Sequence, residues 1–232
     1  MLNIKKEDYH RPIRRPIGRP IGFDGMLRRR YTGSVILDII KYGHPVLREK
    51  GQRIERVTPE IRKLAADMID TMRGADGVGL AAQQVGRAIL LTVIDVTESE
   101  LPSELLVNGE PQDLAGRMPL VLLNPQLRNP QGEQVGPEGC LSVPDISAEI
   151  RRAAQVTVRA RTLDGADVEF TCTGLLARAA QHEMDHLNGV LFIDRMDAVT
   201  RAGVAEQLKL IQQETQAQLG RVSPRRRVAA VR

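Results

Sequence analysis

At 232 residues the chain can bury one core, and its 42% hydrophobic and 27% charged content is that of a globular domain rather than a disordered one. With 3% aromatic residues and no Trp, it has too few rings for a nucleic-acid platform built on stacked bases. The net charge of +4 belongs to the ends: residues 1–34 carry nine Lys/Arg against three Asp/Glu, and residues 221–232 carry five Arg and no acid. The span between them is therefore −7, which offers no DNA-binding face.

Two cysteines, Cys140 and Cys172, are too few for a disulfide framework, and no apolar run approaches the roughly 18 residues of a membrane span. No secretory signal follows the basic N-terminus, so a reducing cytoplasm is the expected compartment.

In chain order, Arg-Pro-Ile recurs at 11–13, 15–17 and 19–21 without apolar periodicity, and residues 1–34 read as a flexible basic extension. Order is expected from Val35, with an apolar run to Ile40 and a turn at Tyr42-Gly43-His44-Pro45. Thr58-Pro59-Glu60 reads as cap, first helical residue and acidic first turn. Ile61, Leu64, Ala65, Met68, Ile69 and Met72 then recur at helical spacing. Ile89 to Val96 reads as a strand, residues 97–119 as a surface loop, and Leu120 to Leu123 as a short buried strand ended by Asn124-Pro125. Val156–Arg161 and Val168–Thr173, joined across Asp164-Gly165, alternate as hairpin strands do. A Gly- and Pro-free helix is expected from Leu175 to Leu187, and a last amphipathic helix from Asp197 to Leu219. The pattern predicts an α+β fold of mostly antiparallel sheets around a central helix.

That central helix carries His182-Glu183-Met184-Asp185-His186. Residues four apart share a helix face, so His182 and His186 can point two imidazoles at one metal ion, with Glu183 placed to handle the proton of a bound water. A third protein ligand would leave one position open. Asp194 and Asp197 lie downstream, but Cys140 in Glu138-Gly139-Cys140-Leu141-Ser142 is the better candidate. Gly139 allows a tight backbone path that aims the thiolate inward and leaves the Leu141 N–H free to donate. A third motif, Gly77-Val78-Gly79-Leu80-Ala81-Ala82-Gln83-Gln84, offers glycines that let an extended peptide approach and a Gln amide suited to an oxyanion. Cys172 falls in a strand pattern and reads as core, and His44 as part of its turn.

GVGLAAQQ, EGCLS and QHEMDHLNG, in that order, resemble the three signature motifs of bacterial peptide deformylases, and ILDIIKYGHPVLRE at 36–49 resembles the usual start of that family. The resemblance covers roughly residues 35–195. It implies a hydrolase that removes the formyl group from the N-terminal formyl-methionine of new polypeptides. It also implies that Cys140, His182 and His186 bind one divalent ion, Fe(II) in the cell and Zn, Ni or Co in some preparations. Glu183 would be the acid/base; Gln84 and the Leu141 N–H would stabilise the oxyanion; Gly79 and Val78 would align the peptide. On this basis residues 35–196 form the catalytic domain, 197–220 a C-terminal helix and 221–232 a basic tail that could meet the ribosome.

Arg178 stands where some relatives have an apolar residue, and is expected to snorkel to solvent. Two rival readings remain open at this point: a peptidase cutting internal bonds, which needs a carboxylate or His as third ligand, and a catalytically silent metal or peptide binder.

Overall fold

The computed structural model describes residues 35–222, so the basic extension and all but the first two residues of the basic tail lie outside the described residues. The chain enters extended and is tied to the first helix by Val35 N–H donating to Asp67 (3.1 Å) and Leu37 N–H to the Thr71 hydroxyl (2.9 Å). A short 3-10 turn at Pro45–Arg48 follows, capped by His44 Nδ1, which accepts from the Val46 N–H. Helix α1 (Pro59–Gly74) begins where the sequence places it, with the Thr58 hydroxyl accepting from the Ile61 N–H. Its Ala65, Met68, Ile69 and Met72 are buried.

The strands are β1 (Gly79–Ala81), β2 (Leu91–Ile94), β3 (Ser103–Val107), β4 (Glu110–Pro111) and, after the short helix α2 (Leu114–Arg117), β5 (Leu120–Gln131). Strands β6 (Gln134–Cys140), β7 (Val143–Arg152), β8 (Gln155–Arg161) and β9 (Asp167–Thr173) lead into helix α3 (Gly174–Leu187). Helices α4 (Ala198–Gly203) and α5 (Ala205–Val222) close the described chain. All strand pairs are antiparallel: a seven-stranded sheet in the order β1-β2-β5-β8-β9-β3-β4, and a separate β6-β7 hairpin.

One core cluster packs Leu175, Leu176, Ala179 and Ala180 of α3 against sheet residues such as Ile94, Leu122, Val158, Phe170 and Cys172. A second joins α1 to Leu80, Leu91, Val93 and Leu123. The third holds the β6-β7 hairpin, through Val143, Ile146 and Ile150, against Phe192 and Leu208 of α5. Helix α3 thus runs between the large sheet and the hairpin, which fixes where its polar face can look.

The structure corrects three expectations and adds one element. Residues 97–119 are not a plain loop, because β3 pairs with β9 and turns into β4 at Asn108-Gly109, both at positive φ. Strand β5 does not stop at Asn124-Pro125 but continues through a register shift, where the missing proline N–H is absorbed. The β6-β7 hairpin is an element that the glycines and prolines of 136–144 conceal. The last helix is two, broken at Val204, which caps α4.

Asn124 holds the β5 irregularity. It sits at φ 51 and is buried, and its amide bonds both the N–H and the carbonyl of Ile54 (2.8 Å each). Asn124→Ala would strand both backbone groups and put a methyl in left-handed backbone. Urea unfolding of the variant should show a loss of about 3 kcal/mol.

Candidate metal centre

Strand β6 and helix α3 bring three donors together. Cys140 ends β6 beside a register shift after Gly139, and the two-residue turn Leu141-Ser142 follows it. His182 and His186 lie one turn apart on α3. The Cys140, His182 and His186 ligand atoms all fall within 4.8 Å of one another, with Cys140 Sγ 3.2 Å from His186 Nε2. All three residues are buried.

His182 Nε2 is buried without a hydrogen-bond partner, which suits a lone pair reserved for an ion. Its other nitrogen, Nδ1, donates to Glu138 Oε2 at 3.0 Å, and this sets the tautomer. The residues present therefore fit a divalent metal with a thiolate and two imidazoles as ligands. Asp194 instead pairs with Arg48, and Asp197 caps α4 by accepting from the Val199 and Thr200 N–H groups.

Behind His182 is a buried ion network that sequence reading missed. Glu138 has no exposed side-chain surface. It accepts from Arg152 Nε (2.9 Å) and Nη2 (2.8 Å), and from Arg178 Nη1 (2.9 Å). Arg152 also binds Asp185, which Arg195 clasps from the outer side. Burial works against the Glu138 charge, but Arg152 and His182 outweigh it and hold the carboxyl well below the usual carboxylate range. Arg178 does not snorkel. It is 5% exposed and also donates to the carbonyls of Gly136 (3.2 Å) and Ile150 (2.9 Å). A Cβ at residue 136 would crowd its Nη2 at 3.2 Å, so glycine there makes room for the guanidinium.

On the opposite side, Glu183 sits against β1 and β2. The Thr92 hydroxyl lies 3.4 Å from its Oε2 and 3.0 Å from the Leu80 carbonyl. Burial raises its pKa to about 7, in the range where a carboxyl can both accept and return a proton near neutrality. Burial lowers His186 to about 4, which keeps the imidazole neutral. For Cys140, burial opposes ionisation, while His182 and the Ser142 backbone N–H favour the thiolate.

The Gly79 motif lies under Glu183. A Cβ on Gly79 would come 2.3 Å from Glu183 Oε1, so glycine is required for the carboxyl to lie where it does, apart from any contact with a peptide. Val78, in the same stretch, accepts from the Asp95 N–H through its carbonyl (2.9 Å). Gln84 Oε1 accepts from the Ala81 N–H (2.8 Å), which turns Nε2 toward Cys140 Sγ (3.5 Å).

Comparison with known proteins decides the family. The model of the polypeptide deformylase family matches residues 36–202. The chain belongs to the polypeptide deformylase family. Among relatives, the peptide deformylase of Methylacidiphilum infernorum is 42% identical over 177 residues, covering 76% of this chain and 93% of that one. The peptide deformylase of Opitutus terrae is 41% identical, with 78% and 95% covered. Among solved structures, peptide deformylase from Legionella pneumophila aligns with a TM-score of 0.66 at 34% identity, covering 78% of this chain and 98% of that one. The Thermus thermophilus enzyme gives 0.66 and 34%, with 78% and 99% covered. The chain is a hydrolase of the metal-dependent deformylase family, acting on formyl-methionyl peptides.

Two outcomes follow from this geometry. Gly79→Ala, which displaces the Glu183 carboxyl, should keep its metal content but lower kcat for formate release on the order of tenfold or more, measured beside its metal content. Glu138, whose folded pKa is depressed, contributes stability that is fully present above its ordinary value of 4.5 and lost as pH falls below it. Metal-free Glu138→Gln should therefore be less stable at neutrality, and urea midpoints taken from pH 6 down to pH 3 should fall less steeply than those of the wild type.

Proposed function

We propose that Cys140, His182 and His186 hold one divalent ion, Fe(II) in the cell with Zn, Ni or Co able to replace it, and that Glu183 is the acid/base of formyl-methionine deformylation. The observation that carries this reading is the convergence of three buried donors beside a buried carboxyl and a directed Gln amide. When bound, the ion supplies Lewis acidity, which lowers the pKa of water and polarises the formyl carbonyl. A thiolate donates more charge to it than a carboxylate would.

The chain's own groups account for the rest. Glu183 takes a proton from the attacking water and passes it to the amide nitrogen as the carbon–nitrogen bond breaks, so that formate and a free methionyl amine leave. Gln84 Nε2 and the Leu141 N–H donate to the formyl oxygen as its negative charge grows. Gly79 and Val78 align the peptide through their backbone in an extended form, and the missing Cβ at Gly79 leaves room for the Glu183 carboxyl.

The substrates emerge from ribosomes, and the five arginines of residues 221–232 suit an RNA-rich surface. The mostly exposed α5, which precedes them, would present that tail to the ribosome. A cytoplasmic site of action accords with two unpaired buried cysteines and with the lack, among the described residues, of any helix long and apolar enough to cross a membrane. An internal-bond peptidase is disfavoured because no carboxylate or further histidine joins the donor cluster among the described residues.

Protein purified without oxygen and loaded with Fe(II) should release formate and Met-Ala-Ser from formyl-Met-Ala-Ser, with no internal cleavage. Glu183→Gln should bind the metal equally and lose at least a hundredfold in kcat. Undiminished release by that variant would remove Glu183 from the mechanism.

A further inference from the structure

Asp185 stands between Glu183 and His186 on α3, and its carboxylate is taken by arginines from two other elements. Its Oδ2 accepts from Arg152 Nη1 of β7 (2.5 Å) and from Arg195 Nε, and its Oδ1 accepts from Arg195 Nη2. By local rules the place is a poor one for a carboxylate. Asp185 lies in the last turn of α3, where the negative end of the helix dipole opposes an anion, and it is only 7% exposed. Helix stability therefore does not account for this residue, whereas its two guanidinium contacts do.

Those contacts lead on to the centre. Arg152 places its other two nitrogens on Glu138, Nε on Oε1 (2.9 Å) and Nη2 on Oε2 (2.8 Å). That same Oε2 accepts from His182 Nδ1 at 3.0 Å. A guanidinium is planar and rigid, so holding Nη1 on Asp185 fixes the plane in which Nη2 meets Oε2. The charges also balance. Glu138 and Asp185 offset Arg152 and Arg178, all four of them buried, and the outer member, Arg195, keeps 43% of its side chain exposed. Without the Asp185 charge, one buried guanidinium would stand uncompensated two hydrogen bonds from an imidazole that would hold a dication.

We infer that Asp185 is a positioning residue for the metal centre: by holding the Arg152 guanidinium at the nitrogen that Glu138 leaves free, it keeps Glu138 Oε2 on His182 Nδ1 and the buried set neutral. Arg195 holds Asp185 in turn. The inference deepens the site reading above and rests on His182 being a metal ligand. Removing the outer partners of a ligating histidine commonly costs about 10–100-fold in metal affinity or activity.

The test uses the full chain loaded with Zn(II) and labelled with nitrogen-15 in its four histidines, so that NMR reads the His182 Nδ1–H independently of turnover. Asp185→Asn keeps the shape and one acceptor oxygen and removes the charge. Its His182 Nδ1–H signal is expected to shift and to exchange faster with solvent, and its Kd for Zn(II) to rise about 10–100-fold. The kcat for formate release should fall on the order of tenfold with KM within about twofold. An unchanged His182 signal and Zn(II) affinity in folded Asp185→Asn overturns the inference. Asn124→Ala, whose lost bonds go to Ile54 and to none of this set, should be less stable but keep the wild-type signal and affinity. The same changes in that variant would trace them to lost stability alone and overturn the inference too. Should Asp185→Asn not fold, Arg195→Met takes its place, because Arg195 lines an open groove and its loss leaves no void in the core. The same changes in smaller measure then support the inference, and their absence overturns it. A wild type that holds no Zn(II) overturns the ligand reading itself and this inference with it. A wild type that holds Zn(II), and shows these losses in Asp185→Asn, but releases no formate leaves the positioning role standing and rejects the deformylation step.

Discussion

The Glu138 carboxylate is the interaction on which the centre depends. It lies on β6 with no exposed side-chain surface, and it is bound by Arg152 of β7 and by Arg178 and His182 of α3. A lone buried carboxylate would be prohibitively costly, and the buried guanidiniums of Arg152 and Arg178 would be equally costly without it. The group is tolerable only as a complete set. Removing one member of such a set typically destabilises by about 3–5 kcal/mol. The same set that ties the small hairpin to α3 also orients the imidazole of His182, so a fold contact and the contact that orients this imidazole are one interaction.

From that constraint the layout of the site follows. The large sheet and the hairpin share no ladder, and α3 is the element packed between them. Its face toward the hairpin carries Arg178, His182 and Asp185, while Glu183 turns to β1 and β2. The two sides of the helix thus differ, with charge compensation and the orientation of the His182 imidazole on one and a carboxyl of raised pKa on the other. Opposite environments separate the two glutamates. Both are desolvated, but Glu138 has two guanidiniums and an imidazole on it whereas Glu183 has a single distant hydroxyl, so one is held ionised and the other near neutrality.

Rigidity around the thiol comes from a different source. The β6-β7 turn is short, which limits its conformers, and the segment entering the fold at residues 40–42 bonds its carbonyls and that of Gln84. These contacts join sequence positions about 40 to 100 residues apart, and they convert the turn that follows a buried cysteine into a fixed part of the core. Gly79 and Gly136 serve the same end by omission, since a methyl at either would press on Glu183 or on Arg178.

Much of this protein could be derived from local pattern. The cap and apolar period of α1, the β8-β9 hairpin, the position of α3 and the pairing of His182 with His186 all depend on residues a few positions apart, and Cys140 stood out because two histidines at helical spacing need a third donor. The rest depended on distance. Strand β6 is hidden by Gly136, Pro137 and Gly139, which depress strand propensity, although Ile146, Ala148 and Ile150 alternate in β7 as a half-buried strand should. Strand β3 forms because β9 lies beside it, and β5 crosses Asn124-Pro125 because the Asn124 amide finds Ile54. Sequence by itself determined the fold class and the residues able to bind metal, since periodicity and spacing are local properties. Only the tertiary structure decided that Arg178 is buried on Glu138 and that Gly79 makes room for Glu183, because the charge balance of a buried network depends on which distant side chains the packing brings within bonding range.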